Sequence, residues 1–103
     1  MKAIWLTIPA VAALLVAGTA SADLALAKKN GCMACHAIDK KVVGPAWNAI
    51  GAKYSAEADG RAIVLASIVD GSRGKWGKVP MPPQKRVSAE NAEKLTDFIL
   101  TLK

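Results

Sequence analysis

The residues Cys32-Met33-Ala34-Cys35-His36 decide how this chain can fold. They include the only two cysteines and the only histidine of the 103-residue sequence. Two thiols three positions apart lie on one face of a helical turn, and His36 follows four positions after Cys32. This spacing is typical of c-type haem attachment, in which the cysteines form thioethers with the haem vinyl groups and the histidine binds the iron.

Three other uses of a C-x-x-C pair fit the sequence less well. A thioredoxin-like redox pair requires a βαβ context, and the chain shows no alternating run typical of a strand. A zinc site needs about four nitrogen or sulfur ligands, whereas the chain offers only the three residues of this motif. A disulfide between cysteines so close in sequence would close too short a loop to stabilise much. Haem attachment is therefore the predicted role.

The first 22 residues are predicted to be a cleaved signal peptide. Lys2 supplies a positive start, residues 4–17 form an apolar run, and Ala20-Ser21-Ala22 is a small-residue cleavage site. An uncleaved membrane anchor is the alternative, but the run is shorter than the roughly 20 residues that span a bilayer, and Pro9 interrupts it. We therefore expect export to the periplasm, since c-type haem is attached outside the cytoplasm in bacteria, and a mature domain at residues 23–103.

Size and charge limit what this domain can do. A chain this small has a marginal apolar core and usually needs a disulfide, a metal or another staple. We expect haem to be that staple, so the protein without it should be poorly folded. The formal net charge is +6 and falls by one with the loss of Lys2, which favours a negatively charged protein partner over nucleic acid.

Apolar residues recur with helical periodicity in four segments. Asp23 and Ser88 can cap the first and the last of these predicted helices. The first segment is Leu24 to Asn30, and the second follows Pro45 and has Trp47, Ile50 and Tyr54 on its apolar face. The third is Ile63 to Val69, with Val64, Leu65, Ile68 and Val69 on its apolar face. The fourth is Ala89 to Lys103, with the apolar residues Ala92, Leu95, Phe98, Ile99 and Leu102.

Two residues near the haem motif allow two interpretations each. Gly31 could end the first helix, or it could let another backbone approach closely. Pro45 could offer its carbonyl oxygen to the second ring nitrogen of His36, or it could occupy the first position of the second helix. The residue types alone do not separate these alternatives. Gly71 is expected to end the third helix in a left-handed conformation.

The stretch Val79-Pro80-Met81-Pro82-Pro83 is the candidate for a second iron ligand. Three prolines around one methionine restrict the backbone and point the side chain in one direction. Met33 lies between the cysteines and cannot reach the opposite haem face, and Met1 is removed with the signal peptide. A proline-rich surface loop is the alternative. Trp76 lies just before this stretch in a glycine-rich loop, where its indole N–H could donate to a haem propionate.

In their order and separation, these motifs resemble those of small bacterial monohaem class I cytochromes c, specifically the cytochrome c-551/c-552 group. The resemblance covers residues 23–103. It implies an all-α cytochrome c fold of four to five short helices wrapped around one covalently bound haem c, with the N- and C-terminal helices crossing. It also implies that Phe98 packs over Gly31, that Pro45 accepts a hydrogen bond from the haem-ligating histidine and that Trp76 binds a propionate.

Two positions depart from the pattern of that group. Ser67 stands where relatives often carry a basic side chain that reaches a propionate. The segment that begins at Gln84, after the ligand loop, is one residue longer than is usual in that group. Gln84 remains the candidate for the side chain that steadies the Met81 sulfur.

A haem iron that has His36 and Met81 as axial ligands leaves no open position for a substrate. We therefore expect a soluble, monomeric periplasmic electron carrier and no enzyme, with no nucleic-acid partner and no stable membrane insertion after cleavage. The expected partners are redox proteins such as a cytochrome bc1-type donor and a nitrite reductase, oxidase or peroxidase acceptor. A haem enzyme or gas sensor in which Met81 dissociates is the alternative, but the chain has no second histidine for distal acid–base chemistry.

Basic residues in the loops that flank the two ligand segments are expected to form a docking face around the exposed haem edge. A solvated surface with no docking role is the alternative. These residues are Lys40, Lys41, Lys75, Lys78, Lys85 and Arg86.

Overall fold

A computed structural model of the chain describes residues 20–103. In this range the backbone forms α-helices and contains no strand, only two isolated bridges, so the all-α prediction is confirmed. A short 3-10 helix, Cys32–Ala34, carries the haem motif. The helices are α1, whose described part covers 20–29, α2 Trp47–Ser55, α3 Gly60–Asp70 and α4 Ala89–Thr101.

The predicted apolar faces meet in one core. Ala27 of α1 has no exposed surface and belongs to the same buried cluster as the inner face of α4. Val69 is the exception among the predicted core positions, because 47% of its surface is exposed. The cluster consists of Ala27, Trp47, Tyr54, Val64, Ile68, Ala92, Leu95, Phe98 and Ile99.

Gly31 ends α1 in a left-handed turn. Its φ of 77° is a left-handed conformation that favours glycine, and its N–H donates to the Lys28 carbonyl at 3.2 Å. A Cβ atom at this position would lie 2.6 Å from Nη2 of Arg86, so the nearest group outside the turn is a guanidinium. The Phe98 ring packs edge-on against Trp47, with their centroids 6.1 Å apart, and its contact with Gly31 stays a prediction.

The other helix ends can be compared with the predictions for Pro45, Gly71 and Ser88. Pro45 is not the first residue of α2, because Ala46 is the extended N-cap and the helix begins at Trp47. Gly71 has φ 80° and ψ 177°, which is not the expected left-handed helical conformation, because the chain leaves α3 extended. Ser88 caps α4 as predicted, since its hydroxyl accepts from the Asn91 N–H at 3.1 Å.

The predicted signal peptide lies largely outside the described residues. From residue 20 onward, α1 runs through Asp23 without a break, so in the full-length chain this aspartate lies inside a helix rather than at its cap. Within residues 20–103, no helix is both long enough and apolar enough to cross a membrane.

We expect Leu95→Ala to lower the free energy of unfolding of the haem-loaded protein by about 2–5 kcal/mol, because a buried leucine leaves a cavity when truncated. Leu95 is 1% exposed at the centre of the core. Val69→Ala is the control and should change the stability by less than about 0.5 kcal/mol. Urea titration followed by circular dichroism measures both, and equal losses in the two variants would contradict this description of the core.

Candidate haem site

The predicted site residues meet at one cavity. Parts of α2, α3 and α4 line it together with the haem motif and the loop before α4, and most of the lining side chains are apolar. Counting its open mouth, the cavity contains about 1150 Å³ of empty space, which suits a cofactor-sized ligand. All six predicted site residues, Cys32, Cys35, His36, Pro45, Trp76 and Met81, are in its lining.

His36 is buried, and one of its ring nitrogens is already engaged. Nδ1 lies 2.8 Å from the carbonyl oxygen of Pro45, so the ring carries its proton on Nδ1 and donates it to that oxygen. This bond leaves Nε2 as the free nitrogen, which is the usual arrangement for a metal-binding histidine. Of the two interpretations of Pro45, the structure therefore supports the carbonyl acceptor.

The backbone after the motif closes tightly around the imidazole. The N–H groups of Val43 and Gly44 both donate to the Cys35 carbonyl, at 3.2 and 2.7 Å, which folds the loop back over the motif. A Cβ atom at Gly44 would lie 2.6 Å from Cε1 of His36, so only glycine leaves room for the ring there. Trp47 packs against the ring with a centroid separation of 5.9 Å.

The two cysteines are unpaired thiols at the wall of the cavity. Cys32 is half-buried and Cys35 is exposed. Burial raises the pKa of the Cys32 thiol, although a backbone hydrogen bond and the positive charge of Arg86 act in the opposite direction. Among residues 20–103, no group of three or more His, Cys, Asp or Glu side chains is arranged to hold a metal ion.

Met81 is held on the cavity by its backbone. It exchanges two hydrogen bonds with Ser72, from Ser72 N–H to the Met81 carbonyl at 3.0 Å and from Met81 N–H to the Ser72 carbonyl at 2.9 Å. The role of Ser72 was not predicted, because main-chain hydrogen bonds can form between any residue types and so cannot be recognised from the sequence. The proline-rich stretch is therefore fixed by pairing with the end of α3 as well as by its own rings.

Gln84 and Trp76 lie at the edge of the same cavity. The Gln84 side-chain amide donates one hydrogen bond to the Pro82 carbonyl at 2.8 Å, and its contact with the Met81 sulfur stays a prediction. The Gln84 N–H donates to the Ile68 carbonyl at 2.9 Å and ties the loop to α3. Trp76 is 37% exposed and packs edge-on against Tyr54, with centroids 6.3 Å apart.

A family model described as cytochrome c matches residues 24–103 of the chain. This chain belongs to the cytochrome c family. It is 52% identical to cytochrome c-552 of Nitrosomonas europaea over the full length of both proteins. It is 51% identical to cytochrome c-551 of Pseudomonas denitrificans over 78 residues, which cover 76% of this chain and 94% of that relative.

A solved structure gives the same result for the fold. The crystal structure of wild-type Nitrosomonas europaea cytochrome c552 superposes with a TM-score of 0.75 at 50% identity, over 78% of this chain and 99% of that one. The resemblance to the cytochrome c-551/c-552 group and the predicted cytochrome c fold are thereby confirmed.

Membership of this family means that the protein carries one covalently bound haem c, and the residues of the cavity fit that group. Two unpaired thiols stand beside an imidazole whose Nε2 is free, and the remaining lining is mainly apolar. The expected electron-transport and metal-binding character of the chain follows from the same membership.

We expect a double Cys32→Ala, Cys35→Ala variant to yield little or no haem-loaded protein and a largely unfolded chain, because the haem completes a core that is too small alone. Ala34→Ser, in the same 3-10 helix, is the control and should load haem normally. Haem content and far-ultraviolet circular dichroism of the purified variants measure the two effects. A well-folded, haem-free double variant would contradict this expectation.

Proposed function

We propose that this cytochrome c is a periplasmic carrier of single electrons whose haem iron is ligated by His36 and Met81. The observation that carries the proposal is that both residues line one cavity, where the Pro45 carbonyl holds the His36 ring and main-chain pairing with Ser72 holds the Met81 backbone. When bound, haem c supplies an iron that alternates between the ferric and ferrous states. The protein supplies the ligands, their orientation and the exclusion of water.

Each proposed ligand has a separate function. The hydrogen bond from His36 Nδ1 to the Pro45 carbonyl fixes the ring plane and makes Nε2 a stronger donor. A methionine thioether stabilises the ferrous iron and raises the potential relative to a second histidine. If His36 and Met81 both held the iron, they would leave no position for a substrate, which supports outer-sphere electron transfer over catalysis.

Export and cleavage after Ala22 remain part of the proposal. The match to the crystal structure covers 78% of the 103 residues, and the family model begins at residue 24. Both values agree with a mature domain at residues 23–103. The full-length match to the Nitrosomonas europaea relative shows that a comparable N-terminal segment is present in that protein.

We expect Met81→Ala to keep the haem attached but to open the sixth coordination position, so that the reduced protein binds carbon monoxide and its potential falls. Met33→Ala is the control, because Met33 does not line the cavity in the described structure. Optical spectra with and without carbon monoxide, together with redox titration, measure the change. If the Met81 variant kept the parent spectrum and potential, Met81 would not be the ligand.

The proposed docking face has two components, a set of basic residues and an apolar patch. Lys40, Lys41, Lys75, Lys78, Lys85 and Arg86 are all exposed, as the docking role requires. Val43 and Val79 line the cavity and are 49% and 65% exposed, so they add an exposed apolar patch at the same cavity. The charges would steer an acidic redox partner, and the apolar patch would make the close contact.

We expect the rate of electron transfer to an acidic partner to fall as salt rises, since screening shortens to about 8 Å at physiological ionic strength. Reversal of Lys40, Lys78 and Lys85 to Glu should slow the rate and flatten or invert its salt dependence, with little change in potential. Stopped-flow mixing with the partner at several salt concentrations measures this effect.

The control for that experiment reverses Lys28, Lys29 and Lys103, which changes the net charge equally but lies on α1 and at the C-terminus. It should keep most of the parent rate and its salt dependence. If both triple variants behaved alike, net charge rather than a docking face would govern the rate. The candidate partners for such measurements are a cytochrome bc1-type donor and a nitrite reductase, oxidase or peroxidase acceptor.

A further inference from the structure

Lys75 is unusual among the residues that line the haem cavity. In the described part of the chain, it is the one lining residue with a permanent charge, and no aspartate or glutamate lines the cavity. The other titratable lining groups are Cys32, Cys35, His36 and Tyr54. Lys75 is exposed while it lines this mainly apolar cavity, so its ammonium would attract a negative group on a ligand bound there.

No protein carboxylate takes that position in the described structure. The ion pairs among residues 20–103 involve Lys53, Arg61 and Lys94, and none involves Lys75. The glycines on either side, Gly74 and Gly77, would not bring an added Cβ atom within 4 Å of any other group. The backbone therefore has open space at both glycines, while Trp76 between them packs against Tyr54.

The other polar groups of this wall are already engaged or uncharged. Ser67 replaces the basic residue expected from the family's pattern, and its hydroxyl donates to the Ile63 carbonyl at 2.9 Å. Trp76 offers a neutral N–H donor. Haem c carries two carboxylate side chains, so a cation in this wall has a natural counterpart.

We propose that Lys75 is the electrostatic partner of a haem carboxylate and takes over the role of the cation missing at Ser67. This inference rests on the proposed function, because it concerns the haem whose redox cycle that function requires. An ammonium beside the carboxylate lowers the carboxylate pKa and keeps it ionised in both iron states. The redox potential of the parent protein should then change little with pH near neutrality.

Removal of the ammonium should make the potential depend on pH. The carboxylate pKa would rise, and the group would bind a proton more readily in the ferrous than in the ferric state, because the ferric iron carries one more positive charge. Reduction would then be coupled to proton uptake, and the potential would fall as pH rises. Other charged groups near this segment in the sequence are Arg73, Lys78 and Asp70, and Lys53 lies 5.3 Å from the Tyr54 ring centroid.

The test compares Lys75→Gln with Lys78→Gln, which removes the same charge from the same loop at a residue that does not line the cavity. Spectroelectrochemical titration of the holoproteins between about pH 5 and pH 9 gives the potential at each pH. We expect a pH-dependent potential in Lys75→Gln, a curve parallel to that of the parent in Lys78→Gln, and restoration of the parent curve in Lys75→Arg.

Two results would overturn the inference. The first is a Lys75→Gln curve that superposes on that of Lys78→Gln, which would make Lys75 an ordinary surface charge. The second is a Lys75→Arg variant that behaves like Lys75→Gln, which would show that the charge is not the cause. In both cases reversible one-electron cycling would persist, so the proposed function would stand while this inference failed.

Discussion

The hydrogen bond from His36 to the Pro45 carbonyl is the contact on which the rest of the site depends. It fixes the imidazole, and it also sets where α2 begins, since the chain turns into that helix two residues later. The N–H of Trp47 donates to the Ala37 carbonyl at 2.9 Å, which ties the start of α2 to the haem motif. Because Trp47 also packs on Phe98 of α4, the orientation of the His36 imidazole is coupled to the apolar core.

The opposite wall of the cavity is held by a separate set of contacts. Ser72 pairs with Met81, and Gln84 is bound to the end of α3, so this loop is fixed to α3 rather than to the haem motif. Leu95 and Ile99 belong both to the core and to the cavity lining. The two walls therefore share one apolar floor, and a haem held between them would form part of the core. A domain of this size gains stability and function from the same group.

The sequence predicts the features that depend on side-chain type, but it does not predict contacts made between main-chain groups. The stripes that contain Trp47 and Leu95 were buried as expected, because helical periodicity follows from burial itself. The Ser72–Met81 pairing could not be foreseen, since main-chain bonds form between any two residue types. Gly31 allowed two interpretations because a glycine suits both a positive φ and a close approach, and its φ of 77° appears only in the tertiary structure. The two interpretations of Pro45 are likewise separated only by the tertiary structure, in which its carbonyl oxygen lies 2.8 Å from Nδ1 of His36.

The central claim is that His36 and Met81 bind one iron from opposite sides. Iron X-ray absorption of the purified protein in both oxidation states tests this claim most directly, because it reports the elements bonded to the metal. The account predicts a six-coordinate iron with one sulfur neighbour among nitrogens in both the ferric and the ferrous protein. A first shell of nitrogen and oxygen alone, or a five-coordinate ferrous iron, would contradict it.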